Sequence, residues 1–298
     1  MAPIPVSSVA FGIQGSGQLV DGAPHPRVFR ELAVRAEELG YDSIWAGDHI
    51  SYRNPILDVV VALSTFAAVT ERITLGAGIV LLPLRHPSVV AKEFASIDYL
   101  SGGRLILGVG VGGEGAKDFG AVGVPLHERG ARTDEAMQAL RALFGELPAS
   151  FTGRFYSFEG ITIAPKAAQP GGPPLWVGGR SEAAIRRATT LGDGWIPIWI
   201  SPAGFARGLG SLPAHVTPAV TLPAHVGPKR RLYEHLKRRY AGDFGEDIVD
   251  RYCVAGTPDE CAARIREYAD AGARHIVFNI LEAGDAERLA EVAFAAAR

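Results

Sequence analysis

The chain has 298 residues, of which 47% are hydrophobic and 21% charged, so it can bury a large core and is close to the roughly 250 residues of one (β/α)8 barrel. Lys and Arg total 30 and Asp and Glu total 32, which gives a formal charge of -2. This balance excludes the global basic field that would hold nucleic acid or an anionic membrane, and a small-molecule partner is expected instead.

The cysteines and the N-terminus indicate the compartment. Cys253 and Cys261 are too few for a disulfide framework or a zinc site, which favours the reducing cytoplasm. Residues 1–5 (MAPIP) do not have the basic and apolar regions of an export signal, and the most apolar run, 79–84, is interrupted by Pro83. We therefore expect a cytoplasmic protein with no membrane span.

Short β-rich apolar runs alternate with segments of helical period, which predicts parallel strands joined by crossover helices. The predicted strands are 9–13, 43–46, 73–80, 104–109, 175–177, 195–199, 220–222 and 275–278. About eight such units close a parallel sheet without edges, so we expect an α/β fold, a single (β/α)8 TIM barrel domain over 1–298. An open doubly wound sheet is the alternative.

Two local patterns refine this prediction. Residues 151–167 alternate aromatic and β-branched residues around a turn and predict a hairpin inserted after unit four. Residues 257–260 (TPDE) have the spacing of a capping box with proline at the first helical position, which predicts a helix that begins there and runs to Gly272.

In such a barrel the functional side chains lie just after the C-terminal ends of the strands. Asp48 and His49 directly follow the second strand. A histidine has the pKa range for proton transfer and a neighbouring carboxylate can orient it, whereas the alternative is an ordinary loop histidine beside a carboxylate that accepts backbone hydrogen bonds.

A glycine-rich segment, 108–113 (GVGVGG), matches the dinucleotide-binding pattern G-x-G-x-x-G. That interpretation requires a helix to begin at once, and further glycines up to Pro125 predict irregular chain instead. The glycines permit close approach of the backbone to a flat or phosphorylated ligand, or a tight turn with positive φ, and the sequence does not separate these two alternatives.

Residues 178–181 (GGRS) form a glycine turn that enters a helix, where free N–H groups and the helix dipole can bind an anion. Arg180 can add positive charge, although Ser181 can equally be a simple cap of the helix. Three such sites on one rim of the barrel favour a planar cofactor that carries phosphate.

These elements together resemble the bacterial luciferase-like family of flavin- and deazaflavin-dependent oxidoreductases over almost the whole chain. The segments that carry the resemblance are 40–49 (GYDSIWAGDH), 70–76 (TERITLG), 84–87 (LRHP), 100–104 (LSGGR), 107–110 (LGVG), 123–125 (GVP), 128–130 (ERG), 174–179 (PLWVGG) and 192–195 (GDGW). Each is weak alone, but their order and spacing are specific.

The resemblance implies a ring of the deazaflavin coenzyme F-420 (F420), or alternatively of FMN, at the barrel mouth. It assigns Asp48 and His49 to the catalytic pair, and it places a non-proline cis peptide that backs the ring between Gly78 and Ile79. The resemblance further implies contacts to the cofactor tail and phosphate from the residues Gly110, Gly112, Gly113, Gly178 and Gly179, with Arg180 added from the anion turn.

The resemblance also carries an acidic proton donor onto Glu114, with one residue of ambiguity in the register, and implies a homodimer. Three functions are compatible with it: an F420-dependent oxidoreductase, an FMN-dependent monooxygenase that uses a separate reductase, and a noncatalytic flavin carrier. No ligand set such as His-x-His follows a strand, so we expect no metal.

Two further patterns are interpreted as structural. Trp195 and Trp199, four residues apart on a predicted strand, share one face and are expected to pack in the core, with one of them lining the pocket as the alternative. The basic residues of 229–231 and 237–239 are interpreted as one solvated helix face, with contact to an anionic cofactor tail as the alternative.

Overall fold

A computed structural model describes residues 9–15, 19–20, 23–52, 54–112, 116–240, 245 and 247–297. Its centre is a closed ring of eight parallel strands. In chain order these barrel strands are β1 Ala10–Gln14, β2 Ser43–Ala46, β3 Thr74–Ala77, β4 Leu105–Gly110, β5 Leu175–Gly178, β6 Gly194–Ile196, β7 Thr217–Val226 and β8 His275–Ile280. Each strand pairs with the next, and β8 returns to β1. The (β/α)8 barrel is therefore confirmed and the open doubly wound sheet is wrong.

Helices surround this ring. They are α1 Pro26–Leu39, α2 Val59–Val69, α3 Pro87–Leu100, α4 Ala116–Ala121, α5 Arg129–Phe144, α6 Glu182–Leu191, α7 Pro202–Leu209, α8 Lys229–Tyr240, α9 Ile248–Tyr252, α10 Pro258–Asp270 and α11 Asp285–Ala296. The described chain contains no helix with both the length and the apolar character needed to cross a bilayer. Apolar residues on the inner faces of these helices pack against the outer faces of the strands and form the main core.

Local sequence signals explain several boundaries. Gly40 ends α1 with a φ of 86°, the left-handed conformation that favours glycine after a helix. The hydroxyl of Thr257 accepts a hydrogen bond from the Glu260 amide, and the Glu260 carboxylate accepts one from the Thr257 amide. The capping box and the start of α10 are therefore confirmed.

A hairpin follows α5, as predicted, with strands Ala149–Thr152 and Ser157–Ile161. Its position confirms an insertion between the fourth and fifth barrel strands. Short additional pairs lie between Leu19–Val20 and Ala23–Pro24, between Val80–Leu81 and β4, and between Val254–Gly256 and the end of β7.

Three local predictions are wrong. The third strand does not run unbroken through 73–80, because a cis peptide between Gly78 and Ile79 separates β3 from the pair at Val80–Leu81. The segment after β4 is not wholly irregular, since α4 forms where Phe119 can pack into an apolar cluster. Trp195 and Trp199 do not share a strand face, because β6 ends at Ile196.

Candidate functional site

A cavity of about 280 Å³ opens at the C-terminal ends of the barrel strands. All eight strands or the segments that directly follow them contribute to its wall, together with the C-terminal end of α8. The lining residues are Gln14, Gly47, Asp48, His49, Tyr52, Ile56, Gly78, Ile79, Leu81, Val111, Gly112, Gly178, Gly179, Ile196, Ile198, Thr221, Arg239, Tyr240 and Asn279. Residues distant in sequence therefore meet in one concave site of the kind that binds small molecules.

His49 lines this cavity, as expected, but Asp48 is not its hydrogen-bonded carboxylate. The Nδ1 atom of His49 lies 2.9 Å from Oδ2 of Asp118, a residue of α4 that is almost completely buried. The other oxygen of Asp118 accepts hydrogen bonds from the amides of Ile50 and Ser51. Asp118 thus holds both the imidazole and the loop that carries it, and the prediction that Asp48 orients His49 is wrong.

Asp48 also lines the cavity, but its hydrogen bonds run to the segment after β3 and not to His49. It accepts hydrogen bonds from the Leu81 amide at 3.1 Å and from Nη2 of Arg85 at 3.0 Å, and the same Nη2 donates to Asp58. Burial acts to lower the pKa of Arg85, but attraction to Asp48 and Asp58 outweighs burial and raises it. Asp48 therefore joins the loop after β2 to the segment after β3.

The wall contributed by β3 contains the predicted cis peptide between Gly78 and Ile79, which is confirmed. Nε2 of Gln14, at the end of β1, donates to the carbonyl of Gly78 at 2.9 Å. This bond fixes the orientation of that carbonyl from β1, which lies on the other side of β2.

The side chain of Ile79 occupies space left by glycines of two adjacent strands. A Cβ atom at Gly110 would lie 1.9 Å from Cδ1 of Ile79, and one at Gly178 would lie 2.7 Å from the same atom. Gly110 is in β4 and is not among the residues that line the cavity. Contact with Ile79 therefore explains why position 110 is a glycine. Gly112 and Gly178, by contrast, do line the cavity.

The anion turn after β5 is present in part. Gly179 has a φ of 104° and lines the cavity, and Ser181 caps α6 by accepting a hydrogen bond from the Ala184 amide. Arg180 does not line the cavity, because its Nη1 donates to the carbonyl of Trp199. Gly113 and Glu114, also predicted site residues, lie outside the described residues.

The basic residues of α8 were predicted to form one solvated helix face, and for Arg239 this prediction is wrong. Arg239 is half-buried and lines the cavity, with its guanidinium carbon 6.0 Å from the Tyr52 ring centroid and 5.6 Å from that of Tyr240. The Tyr52 ring in turn stacks on His49, with ring centroids 4.2 Å apart. A cation and two aromatic rings thus form one side of the mouth.

Several residues that line the cavity or hold His49 were not predicted from the sequence. Gln14 and Asn279 are polar residues near the C-terminal ends of β1 and β8, so the strand-end criterion was sufficient to find them. Tyr52 and Asp118 depend on loop conformation and on α4, for which no local pattern gave a signal.

Comparison with known proteins agrees with this geometry. The family model for luciferase-like monooxygenases matches residues 7–216. An F420-dependent glucose-6-phosphate dehydrogenase from Intrasporangium calvum is 29% identical over 297 residues, which cover 85% of this chain and 88% of the relative.

Two solved structures have a similar fold. The monooxygenase RslO1 from Streptomyces bottropensis has a TM-score of 0.83 and 22% identity, with 97% of this chain and 98% of that chain covered. An F420-dependent secondary alcohol dehydrogenase in complex with an F420-acetone adduct has a TM-score of 0.84 and 20% identity, with 97% and 99% covered. The family model spans more than half of the chain, and the chain therefore belongs to the luciferase-like monooxygenase family.

Proposed function

We propose that this protein is an F420-dependent oxidoreductase that transfers a hydride between the deazaflavin and a small organic substrate at the barrel mouth. The observation that carries the proposal is that His49, held by a buried carboxylate, and the Gly78–Ile79 peptide line one cavity. The relative from Intrasporangium calvum, whose name includes F420 dependence, supports the choice of cofactor.

The residues present fit a flat ring with an anionic tail. Ile79, Leu81 and Ile196 supply apolar wall, and the cavity of about 280 Å³ is near the lower limit, about 300 Å³, of typical small-molecule pockets. Gly78 and Ile79 would back the ring. Gly112, Gly178 and Gly179 would let the backbone approach the tail.

The anion turn and three other predicted cofactor contacts, Arg180, Gly110 and Gly113, differ in their support. The amides of Glu182 and Ala183, in the first turn of α6 just beyond Gly179, have no acceptor within the helix and would favour a phosphate, whereas the Ala184 amide already donates to Ser181. Arg180 is close to this turn in sequence and would act through charge rather than direct contact. Gly110 would act only by accommodating Ile79, and Gly113 stays a prediction.

When bound, the deazaflavin supplies the ring carbon that accepts or delivers the hydride. His49 would take up or return the accompanying proton at the ring nitrogen that does not face Asp118. Asp48 would hold the His49 loop in place through Arg85 and the Leu81 amide rather than carry a proton. Tyr52 would limit the access of water to His49 by stacking on it. An acidic donor at Glu114 stays a prediction.

Replacement of His49 tests this proposal. After a screen of alcohols and sugar phosphates with F420 identifies a substrate, His49→Ala should slow turnover about 10²- to 10⁴-fold, the usual contribution of a positioned acid or base. F420 affinity should change only a few fold, because the imidazole acts mainly on the transition state. Wild-type turnover in the variant would refute the proton-transfer step, and loss of F420 binding would make His49 a contact of the ring.

An FMN-dependent monooxygenase that uses a separate reductase is the second candidate, because RslO1 is a monooxygenase of similar fold. This candidate would be favoured if the protein consumes oxygen with reduced FMN and consumes none with reduced F420. A noncatalytic carrier would bind either cofactor and show no turnover in the substrate screen.

We also propose a homodimer and a cytoplasmic location. Both described cysteines are buried and free, which is compatible with a reducing compartment. Light scattering of the pure protein measures its oligomeric state, and fractionation of the source cells measures its location.

A further inference from the structure

The contact between His49 and Asp118 has a chemical consequence for the imidazole. Asp118 has only about 1% of its side chain exposed, and its carboxylate receives three hydrogen-bond contacts, two from the backbone amides of Ile50 and Ser51 and one from His49. An ionised carboxylate can only accept hydrogen bonds. The hydrogen of a neutral His49 must then lie on Nδ1, and the lone pair is left on Nε2.

The local fold fixes this contact. Asp118 belongs to the short helix α4, and the next residue, Phe119, is buried in a cluster with Leu81, Leu84 and Val124. That cluster anchors α4 to the segment after β3. The Asp118 carboxylate is therefore positioned by packing rather than by a mobile surface pair, and the stacked Tyr52 ring restrains rotation of the imidazole.

We infer that Asp118 is the positioning residue of the site, which selects the Nδ1–H tautomer of His49 and so presents an unprotonated Nε2 to the molecule in the cavity. Its effect on turnover rests on the proposed function, but its effect on the tautomer does not. Because Asp118 and His49 are 69 residues apart in sequence, this assignment depends on the structure alone.

Asp118→Asn separates orientation of the ring from support of the loop. The amide oxygen of asparagine can still accept from the Ile50 and Ser51 amides, so the loop keeps its anchor. Its NH2 group would face Nδ1 as a donor, which favours the opposite tautomer, Nε2–H. The matched control is Asp98→Asn, since Asp98 is a fully buried carboxylate that accepts hydrogen bonds from Gln169 and Leu105 outside the cavity.

The test is ¹⁵N NMR of histidine-labelled protein at about pH 8.5, above the ordinary titration range of histidine, without ligand and with F420. His49→Gln assigns the His49 signal. We expect Nδ1–H in the wild type and in Asp98→Asn, and Nε2–H in Asp118→Asn. We also expect turnover of Asp118→Asn to fall by about 10²- to 10⁴-fold with KM within a few fold.

An Nε2–H tautomer in the wild type, or an unchanged tautomer in Asp118→Asn, overturns the inference. The wild-type spectrum decides this even if the variant does not fold. Normal turnover of Asp118→Asn beside a slow His49→Ala also overturns it. If the tautomer changes as expected while His49→Ala keeps wild-type turnover, the orientation by Asp118 stands and the proposed function of His49 fails.

Discussion

Cδ1 of Ile79 fills the space that a Cβ at Gly110 would need, since the two atoms would lie only 1.9 Å apart. The glycine of β4 and the isoleucine of the cis peptide are therefore fitted to one another. Their contact sets the position of the wall that faces the cavity.

Gly110→Ala should displace Ile79. We expect F420 affinity to fall at least tenfold and the free energy of unfolding to fall by about 1 to 3 kcal/mol, the usual cost of overpacking a core. Fluorescence titration and urea unfolding measure the two effects. Gly120→Ala is the control, because a Cβ at Gly120 has no neighbour within 4 Å and alanine favours the helix. Equal behaviour of the two variants would contradict the account of Ile79.

Asp48 should matter for stability. Its side chain is 2% exposed and pairs with Arg85, whereas Asp58, 44% exposed, pairs with the same guanidinium. Asp48→Asn should lower the free energy of unfolding by about 1.5 to 3 kcal/mol, because it removes the charge from a buried acceptor of the Arg85 hydrogen bond. Asp58→Asn keeps its cap of α2 and should cost less than about 1 kcal/mol. Urea unfolding compares the two variants. A larger loss of unfolding free energy in Asp58→Asn than in Asp48→Asn would refute the structural role of Asp48.

Stability should fall in acid through a histidine outside the cavity. His275, bonded to Ser43 in the barrel interior, has its pKa lowered to about 4 by burial. The unfolded chain therefore binds a proton in the range from about pH 6.5 to 4 that the folded protein does not bind. The contribution of His275 is complete above about pH 6.5 and is lost as the pH falls towards 4, by of order 3 kcal/mol in total.

Urea unfolding between pH 4.5 and 8 measures this effect. His275→Gln should reduce the loss of stability in acid relative to the wild type, although it lowers stability at neutral pH. The exposed His215 supplies the control, and His215→Gln should retain the wild-type dependence. An unchanged slope in His275→Gln would show that another group causes the acid sensitivity.

The sequence predicted the barrel because apolar periodicity is local, and the strand-end criterion placed His49 at the cavity without any knowledge of contacts. The same criterion did not identify the partner of His49. Asp48 and His49 are adjacent in sequence, yet Asp48 pairs with Arg85 whereas His49 pairs with Asp118. Asp118 comes from α4, where glycine-rich sequence gave no helical signal and tertiary contacts such as the packing of Phe119 stabilise the helix.

The glycines of β4 show a similar limit. The motif indicated close approach of some group to the backbone, but only the structure identifies that group at Gly110 as the side chain of Ile79. Arg239 was interpreted as solvated because it belongs to one of the two basic runs of α8, 229–231 and 237–239, and its place at the cavity depends on how α8 docks on the barrel.

Fluorescence titration of the pure protein with F420 and, separately, with FMN decides which cofactor the cavity binds. We expect a Kd for F420 in the micromolar range or tighter and weaker binding of FMN, because the relative from Intrasporangium calvum is named as F420-dependent, although the apolar wall and the glycine turn before α6 fit either ring. Competition of excess F420 against bound FMN would place both in one cavity. Tight binding of FMN with no binding of F420 would refute the proposal that this protein is F420-dependent.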